Sequence, residues 1–192
     1  MRTYRSGRPL KTVARLLALV LVLVGIGLVG YTLLIRDPLA TSALSSTGPP
    51  QDATMTLTVP EMSRVNELPI YDGPATDTAA LRDGALHVNE TGFPWQTGSN
   101  VYIAGHRLGF PGTKSYLVFW DLNKLENGDE IILTDANGTN YTYSVFDEFV
   151  VDPGAGEVLQ PVPGRSIVSL QTCTLPDYSQ RLIVQAELTS VA

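Results

Sequence analysis

Short apolar runs, several of them alternating with polar residues, recur along most of the chain. A period of two is typical of half-buried β-strands, and unbroken apolar runs of about four to eight residues are typical of buried ones. On this basis we predict strands at residues 55–59, 68–71, 101–104, 130–134, 141–146, 166–172 and 182–188. So many short strands predict an all-β domain, folded as a closed barrel or a sandwich.

Helical patterns are few. Residues 76–86 predict one short helix, with Thr76 or Asp77 as its N-cap. Residues 117–123 are compatible with a short helix or with the start of a strand. Residues 148–163 contain three prolines and two glycines, and they predict a long loop.

The N-terminal part of the chain has a different pattern. Residues 1–15 contain five basic residues and no acidic one, and residues 16–35 are 20 residues without a charge. At about 1.5 Å per residue, a helix of that length spans about 30 Å, the thickness of a bilayer core. We therefore expect a basic cytoplasmic tail at 1–15, one uncleaved transmembrane helix at 16–35, a linker at 36–54 and an extracytoplasmic folded domain at 55–192. A cleaved signal peptide is the alternative, but its apolar core has only about 7–15 residues.

Charge divides the chain in the same way. From Asp37 onward there are 19 acidic and 7 basic residues, which gives this part a net charge of −12. An acidic domain argues against nucleic acid as a partner, whereas the basic tail suits an anionic lipid surface. The chain holds a single cysteine, so no disulfide can form within it.

Candidate chemistry lies at the ends of three predicted strands. Cys173 follows the strand at 166–172, and Arg181 directly precedes the strand at 182–188. The loop between them predicts an antiparallel hairpin that holds both side chains at one end. His106 follows the strand at 101–104. A nearby cation stabilises a thiolate, a histidine can act as acid or base, and an arginine can bind an oxyanion. An inert buried cysteine fits the residue types equally well.

Three local strings resemble those of a known family. Ile103–His106, Leu170–Cys173 and Arg181–Val184 occur in the order and spacing of the sortases, membrane-anchored cysteine transpeptidases of Gram-positive and related bacteria. The resemblance covers residues 55–188. The family pattern at the nucleophile is Thr-Leu-x-Thr-Cys, and here Ser169 replaces the first threonine and keeps a hydroxyl. The resemblance implies a closed eight-stranded β-barrel with short helices at its rim.

The same resemblance implies an activity. Cys173 would attack the Thr carbonyl of a C-terminal sorting signal resembling Leu-Pro-x-Thr-Gly or Leu-Ala-x-Thr-Gly on a surface protein. Arg181 would stabilise the oxyanion, and His106 would protonate the departing glycine amine. A cell-wall amine, from a peptidoglycan precursor or a pilin lysine, would then resolve the thioacyl intermediate.

Other functions stay open at this point. The single anchor, with no second one after Leu188, and the missing Asp-Pro-aromatic lid favour a class E-like housekeeping enzyme. The alternatives are a pilin-polymerising sortase, an envelope cysteine peptidase that uses water, and a non-catalytic anchored β-barrel binding module.

Substrate recognition is expected at the long loop. In the family this loop covers the groove for the sorting signal, and an apolar, Pro-rich wall suits a short extended peptide. We therefore expect Val151, Pro153, Val158 and Leu159 to bind substrate, together with Thr172 from the nucleophile motif. Packing of the loop residues onto the core is the alternative for each of them.

Three further residues are weaker candidates. His87 could orient groups near the site, or it could cap the end of the predicted helix. Arg107 and Arg165 are rivals of Arg181 for the cationic role. Strand alternation, however, points Arg107 away from the face that holds His106.

We expect no cofactor and no required metal. One cysteine and two histidines lack the spacing of a zinc site. Glu126, Asp129 and Glu130 could supply oxygen ligands for calcium, which activates some sortases. An acidic strand edge is more often simply solvated.

Overall fold

The computed structural model describes residues 49–192. The predicted tail and transmembrane helix, and most of the predicted linker, lie outside these residues. Among residues 49–192, no helix has both the length and the apolar character needed to cross a bilayer.

Eight strands close into a barrel. They are β1 (Met55–Thr58), β2 (Leu68–Gly73), β3 (Ala85–Val88), β4 (Asn100–Ala104), β5 (Glu130–Asp135), β6 (Asn140–Val151), β7 (Ile167–Cys173) and β8 (Arg181–Val191). Their order around the barrel is β1-β2-β3-β4-β7-β8-β6-β5, and β5 pairs with β1 to close it. The pairs β2–β3 and β4–β7 are parallel, and all others are antiparallel. The expected closed eight-stranded barrel is confirmed.

The barrel interior is the main hydrophobic core. Every strand contributes to it from alternate positions, for example Ile103 on β4, Leu133 on β5 and Val184 on β8, all fully buried. A smaller apolar cluster lies on the outward face, where Tyr102 and Ile183 pack against Val158. Because β4 and the start of β8 are buried on both faces, they read in the sequence as continuous apolar runs rather than alternating ones.

Within residues 49–192, the one α-helix is shorter than the sequence predicts. Helix α1 covers Thr78–Asp83, and the Asp77 carboxylate caps it by accepting hydrogen bonds from the backbone N–H groups of Ala79 and Ala80, both 3.0 Å long. Residues 85 and 86, predicted as helix, belong to β3 instead. There the backbone hydrogen-bonds with β2 and β4, and this strand pairing overrides the local helical preference of Ala85 and Leu86.

One other prediction, the start of the long loop, needs correction. The structure also decides the conformation of residues 117–123, which the sequence left open. Strand β6 runs on to Val151, so the loop predicted to begin at residue 148 begins at 152. The reason is long-range pairing, because Glu148 to Val151 face Val184 to Arg181 on β8. Residues 117–121 form turns that lead into a 3₁₀ helix at Leu122–Lys124, and a second 3₁₀ helix lies at Gly156–Leu159.

Candidate active site

Strand register brings the three predicted catalytic residues to one end of the barrel. Cys173 and Arg181 are direct partners across the β7–β8 pair. The parallel β4–β7 pair places Ala104 opposite Gln171, and Gly105 N–H extends the pairing by donating to the Gln171 carbonyl at 2.9 Å. His106 is therefore in step with Cys173, which lies between the histidine on one side and the arginine on the other.

All three residues line one open cavity of about 490 Å³. Its other walls are formed by Tyr102 and Gln171 on the outward face of the barrel and by the β6–β7 loop. A volume of this size is typical of sites for small molecules or short peptide segments, which span about 300–1,000 Å³. The side chain of Cys173 is a free, partly exposed thiol, so it is open to a substrate in the cavity.

The predicted substrate-binding residues divide into two groups. Pro153, Val158 and Leu159 line the cavity. Val151 lies on β6 and packs against the outer apolar cluster, outside the cavity lining. Thr172 is fully buried, and its hydroxyl donates to the Gly105 carbonyl at 2.8 Å. Thr172 thus packs into the barrel and Val151 into the outer apolar cluster, and neither lines the cavity as the sequence led us to expect.

Close packing fixes the segment that carries His106. A Cβ atom on Gly105 would lie 2.6 Å from the ring of the fully buried Phe119, so only glycine fits there. Phe119 N–H also donates to the His106 carbonyl at 3.0 Å. The imidazole packs edge-on against Phe110, with ring centroids 5.5 Å apart. The backbone on either side of the histidine is therefore held by the core.

Partial burial sets the proton chemistry of His106. It lowers the pKa of His106 from its ordinary value near 6.5, because the charged imidazolium is desolvated. At neutral pH the resting imidazole is therefore mostly neutral. A neutral imidazole beside a thiol can take its proton and then deliver that proton to a leaving group.

Arg181 is the cation of the cavity. Its Nη1 donates to the carbonyls of Tyr178 and Gln180, each at 3.1 Å, which fixes the guanidinium at the mouth of the β7–β8 loop. Burial raises the pKa of Tyr102 well above its usual range, and the charge of Arg181 opposes this rise. The Tyr102 hydroxyl therefore stays protonated, and it donates to Gln171 Oε1 at 3.1 Å.

The two rival arginines have other partners. Arg107 Nη2 donates to Asn123 Oδ1 at 2.5 Å, and its guanidinium lies 5.8 Å from the Trp120 ring. Arg107 borders only a smaller recess of about 170 Å³ next to Cys173. Arg165 pairs with Glu187 and lies over the Phe146 ring, outside the cavity lining. Of the three, Arg181 alone lines the main cavity.

His87 is part of the barrel wall. It lies on β3 and is fully buried, with Nδ1 2.7 Å from Asp72 Oδ1 and Nε2 3.0 Å from the Gly92 carbonyl. It does not line the cavity, and the predicted helix-capping role is wrong because the helix ends at Asp83. Its bonds instead tie β2 to the β3–β4 loop.

Two polar residues of the cavity, Tyr102 and Gln171, were missed by the sequence reasoning. Tyr102 and Gln171 lie two positions before Ala104 and Cys173 on their strands, so they share the outward face that leads to the nucleophile. Applying the period of two to β4 and β7 would have found both. Among residues 49–192, no group of three acidic, histidine or cysteine side chains is placed to hold a metal ion.

Comparison with known proteins gives a consistent match. The family model for the Sortase domain matches residues 57–189. Sortase A of Streptococcus agalactiae serotype III is 33% identical over 123 residues, which are 63% of this chain and 47% of that protein. The match thus spans about half the length of this curated relative.

Solved structures with a similar fold include Sortase A and Sortase C proteins. Sortase A from Corynebacterium diphtheriae has a TM-score of 0.63 and 30% identity, over 74% of this chain and 63% of that one. Sortase C-1 from Actinomyces oris has a TM-score of 0.61 and 30% identity, over 81% of each chain. The Group B Streptococcus Pilus Island 1 Sortase C2 has a TM-score of 0.62 and 29% identity, over 71% and 73%.

Proposed function

The chain belongs to the sortase family, and on this premise we propose that it is a cysteine transpeptidase that cleaves a C-terminal sorting signal between Thr and Gly and joins the protein to an amine. The signal resembles Leu-Pro-x-Thr-Gly or Leu-Ala-x-Thr-Gly. The observation that carries the proposal is the position of Cys173 between His106 and Arg181 in one peptide-sized cavity.

The first half of the reaction releases the glycine end of the signal. His106 takes the thiol proton, and Cys173 Sγ forms a bond to the Thr carbonyl carbon. The carbonyl oxygen becomes an oxyanion, which the charge of Arg181 stabilises. His106 then gives its proton to the glycine nitrogen, the C–N bond breaks, and the amine leaves a thioacyl enzyme on Cys173.

The second half reverses these roles. An acceptor amine attacks the thioacyl carbon, His106 accepts its proton, and the Cys173 sulfur leaves as a thiolate that recovers a proton. The acceptor belongs to a peptidoglycan precursor in a housekeeping enzyme. Water in place of the amine would make the chain a peptidase. Apolar contacts from Pro153, Val158 and Leu159 would hold the Leu-Pro or Leu-Ala part of the signal.

Pilin polymerisation is the second candidate function. Pilus-related sortases resemble this chain as closely as a Sortase A does, with TM-scores of 0.62 and 0.63. Such an enzyme would use a lysine side chain of a pilin as its acceptor. The fold similarity therefore supports both acceptors, and the choice between them needs a reaction.

The activity is tested by product analysis. The full chain is incubated with a panel of sorting peptides, without an amine, with a peptidoglycan-type glycine or diamino acid amine, and with a lysine-bearing peptide. We expect an amide-linked product whose mass includes the amine, and no product from Cys173→Ala. Free acid as the sole product in every reaction would point to a peptidase. No cleavage of any peptide, or normal cleavage by Cys173→Ala, would contradict the proposal.

The location is proposed from the sequence. The charge-free stretch at 16–35 would anchor the chain in the membrane, with the N-terminus in the cytoplasm and the catalytic domain outside. Protease treatment of intact protoplasts should remove the catalytic domain and leave a short membrane-bound fragment. A domain that stays protected, or a protein secreted after cleavage near Ala43, would contradict this topology.

A further inference from the structure

Three polar side chains form a buried row on the outward face of the barrel. Asn100 on β4, Ser169 on β7 and Gln185 on β8 have relative exposures of 1%, 0% and 8%. The Ser169 hydroxyl lies 2.9 Å from Asn100 Oδ1, and Gln185 Nε2 lies 3.1 Å from the same hydroxyl. Water is largely excluded here, so these groups must satisfy one another.

The hydrogen-bond chemistry allows one arrangement of this row. Asn100 Nδ2 donates to the carbonyls of Val158 at 2.8 Å and Gln160 at 3.2 Å, and carbonyls can only accept. Asn100 Oδ1 must therefore face Ser169, whose single hydroxyl proton goes to it. Gln185 Nε2 then donates to the Ser169 oxygen. Removing the Ser169 hydroxyl would leave a buried acceptor and a nearly buried donor without partners.

Through Asn100, this row holds the wall of the active-site cavity. The loop that carries this wall covers residues 152–164. Within the described part of the chain, the two bonds from Asn100 are the only hydrogen bonds that join these residues to a strand. The other loop bonds are local turns, such as Gln160 N–H to the Glu157 carbonyl. Apolar packing of Val158 also holds the loop, but such packing is non-directional and does not fix its position along the groove.

We propose that Asn100, oriented by Ser169 and Gln185, is a positioning residue that sets where the β6–β7 loop lies and hence which sorting signals fit the cavity. It makes and breaks no bond in the reaction. The substrate part of this inference rests on the proposed transpeptidase function. Ser169 occupies the position where the family pattern has threonine. Its hydroxyl donates to Asn100 Oδ1, and a threonine hydroxyl could donate to the same atom.

Kinetics test the effect on recognition. The full chain is compared with Ser169→Ala, Ser169→Thr and Asn100→Asp, in which an oxygen replaces the donor that faces the two carbonyls. Tyr141→Phe is the matched control, since it removes a buried hydrogen bond to Asp135 outside the cavity lining. We expect KM for a sorting peptide to rise about tenfold in Ser169→Ala and Asn100→Asp, with kcat changed less than about twofold. Ser169→Thr and Tyr141→Phe should keep the wild-type KM. An unchanged KM in a folded Ser169→Ala protein would overturn the proposal.

Proteolysis tests the anchor without using the activity. Glu157 lies in the 3₁₀ helix of the loop, so a glutamate-specific protease can cut after it only when the loop leaves its place. Cleavage at this bond, followed by mass spectrometry below the unfolding temperature, should be at least about fivefold faster in Ser169→Ala. It should match the wild type in Ser169→Thr and Tyr141→Phe.

The two assays separate the two proposals. If the wild-type chain acts on no sorting peptide, the transpeptidase proposal fails, and the cleavage rates at Glu157 still decide whether the row anchors the loop. Equal rates in all variants would overturn the anchor. Faster cleavage with an unchanged KM would overturn its part in recognition. Because Asn100→Asp can fail to fold, Ser169→Ala decides both questions.

Discussion

Replacing Gly105 by alanine should separate the position of the histidine from the stability of the barrel. The added Cβ would lie 2.6 Å from Phe119 Cδ2, whereas carbon atoms in contact are about 3.5–4.0 Å apart. Phe119 is fully buried and donates to the His106 carbonyl, so it cannot retreat without moving the histidine segment. The strain must therefore be relieved by a shift of about 1 Å in the backbone next to His106.

The size of the effect follows from this geometry. Overpacking of this kind costs about 1–3 kcal/mol of stability, which lowers Tm by about 4–12 °C in a domain of this size. A displacement of about 1 Å at a catalytic group can lower the rate about 100-fold. We expect kcat for a sorting peptide to fall by about that factor, since the thiol remains but its acid–base partner is displaced.

Gly84→Ala is the matched control. A Cβ there would lie 2.4 Å from the Pro69 carbonyl oxygen, so it strains the barrel in a similar way, but Gly84 does not line the cavity. It should lower Tm and leave kcat close to wild type. Adding Phe119→Leu to Gly105→Ala should restore part of kcat while stability falls further, because the smaller side chain frees space for the methyl group. Wild-type kcat in Gly105→Ala would refute the reasoning, and so would an equal loss of kcat in Gly84→Ala.

Two further predictions concern the charged groups of the cavity. Burial lowers the pKa of His106, so the acidic limb of the kcat/KM profile should have its midpoint below pH 6.5, and activity should persist as the pH falls through that value. A midpoint above 6.5 would contradict the role of His106 as acid and base, and so would a kcat/KM profile against pH that is unchanged in His106→Ala. Arg181→Ala should lower kcat about 10²–10³-fold, the typical loss for one oxyanion donor, and Arg181→Lys should recover only part because lysine lacks the planar fork. If both variants were as active as the wild type in the peptide assay, Arg181 would be excluded as the group that stabilises the oxyanion.

Seven of the eight strands, and the positions of His106, Cys173 and Arg181 at strand ends, could be predicted because both depend on local signals. Apolar runs end just before His106 and at Cys173, and another begins just after Arg181, so these residues mark where the chain leaves or enters the core. The errors arose where distant pairing decides the structure. The end of α1 depends on β2 and β4, and the last four residues of β6 depend on β8. The three partner strands are recognisable from the local pattern, but their pairing with these segments is not.

The same limit applies to the site. Thr172 was assigned to the substrate because it precedes the nucleophile, but strand alternation turns its side chain towards the barrel interior. The period of two along each strand places Tyr102 and Gln171 on the outward face, but the pairing of β4 with β7 is needed to bring them into one cavity. The partner of Ser169 lies 69 residues away, so its role needs the three-dimensional structure.

The topology of the barrel explains why the cavity wall is a loop. Because β4 and β7 are parallel, the segments that follow them, with His106 and Cys173, meet at one end of the barrel. Because β8 is antiparallel to both β7 and β6, Arg181 begins at that same end and Val151 finishes there. Strand β7, however, starts at the opposite end, beside Asn100.

The chain must therefore return along the length of the barrel between residues 151 and 167, over an outward face that already carries Tyr102, Gln171 and Ile183. A connection that has to cross this face can be altered in sequence without disturbing the strands that align the catalytic trio. Under the proposed function, recognition and chemistry would belong to separate parts of the fold, and the hydrogen bonds from Asn100 join these two parts. Substitutions in the loop should accordingly change which signals fit, while substitutions at the strand ends should change the rate.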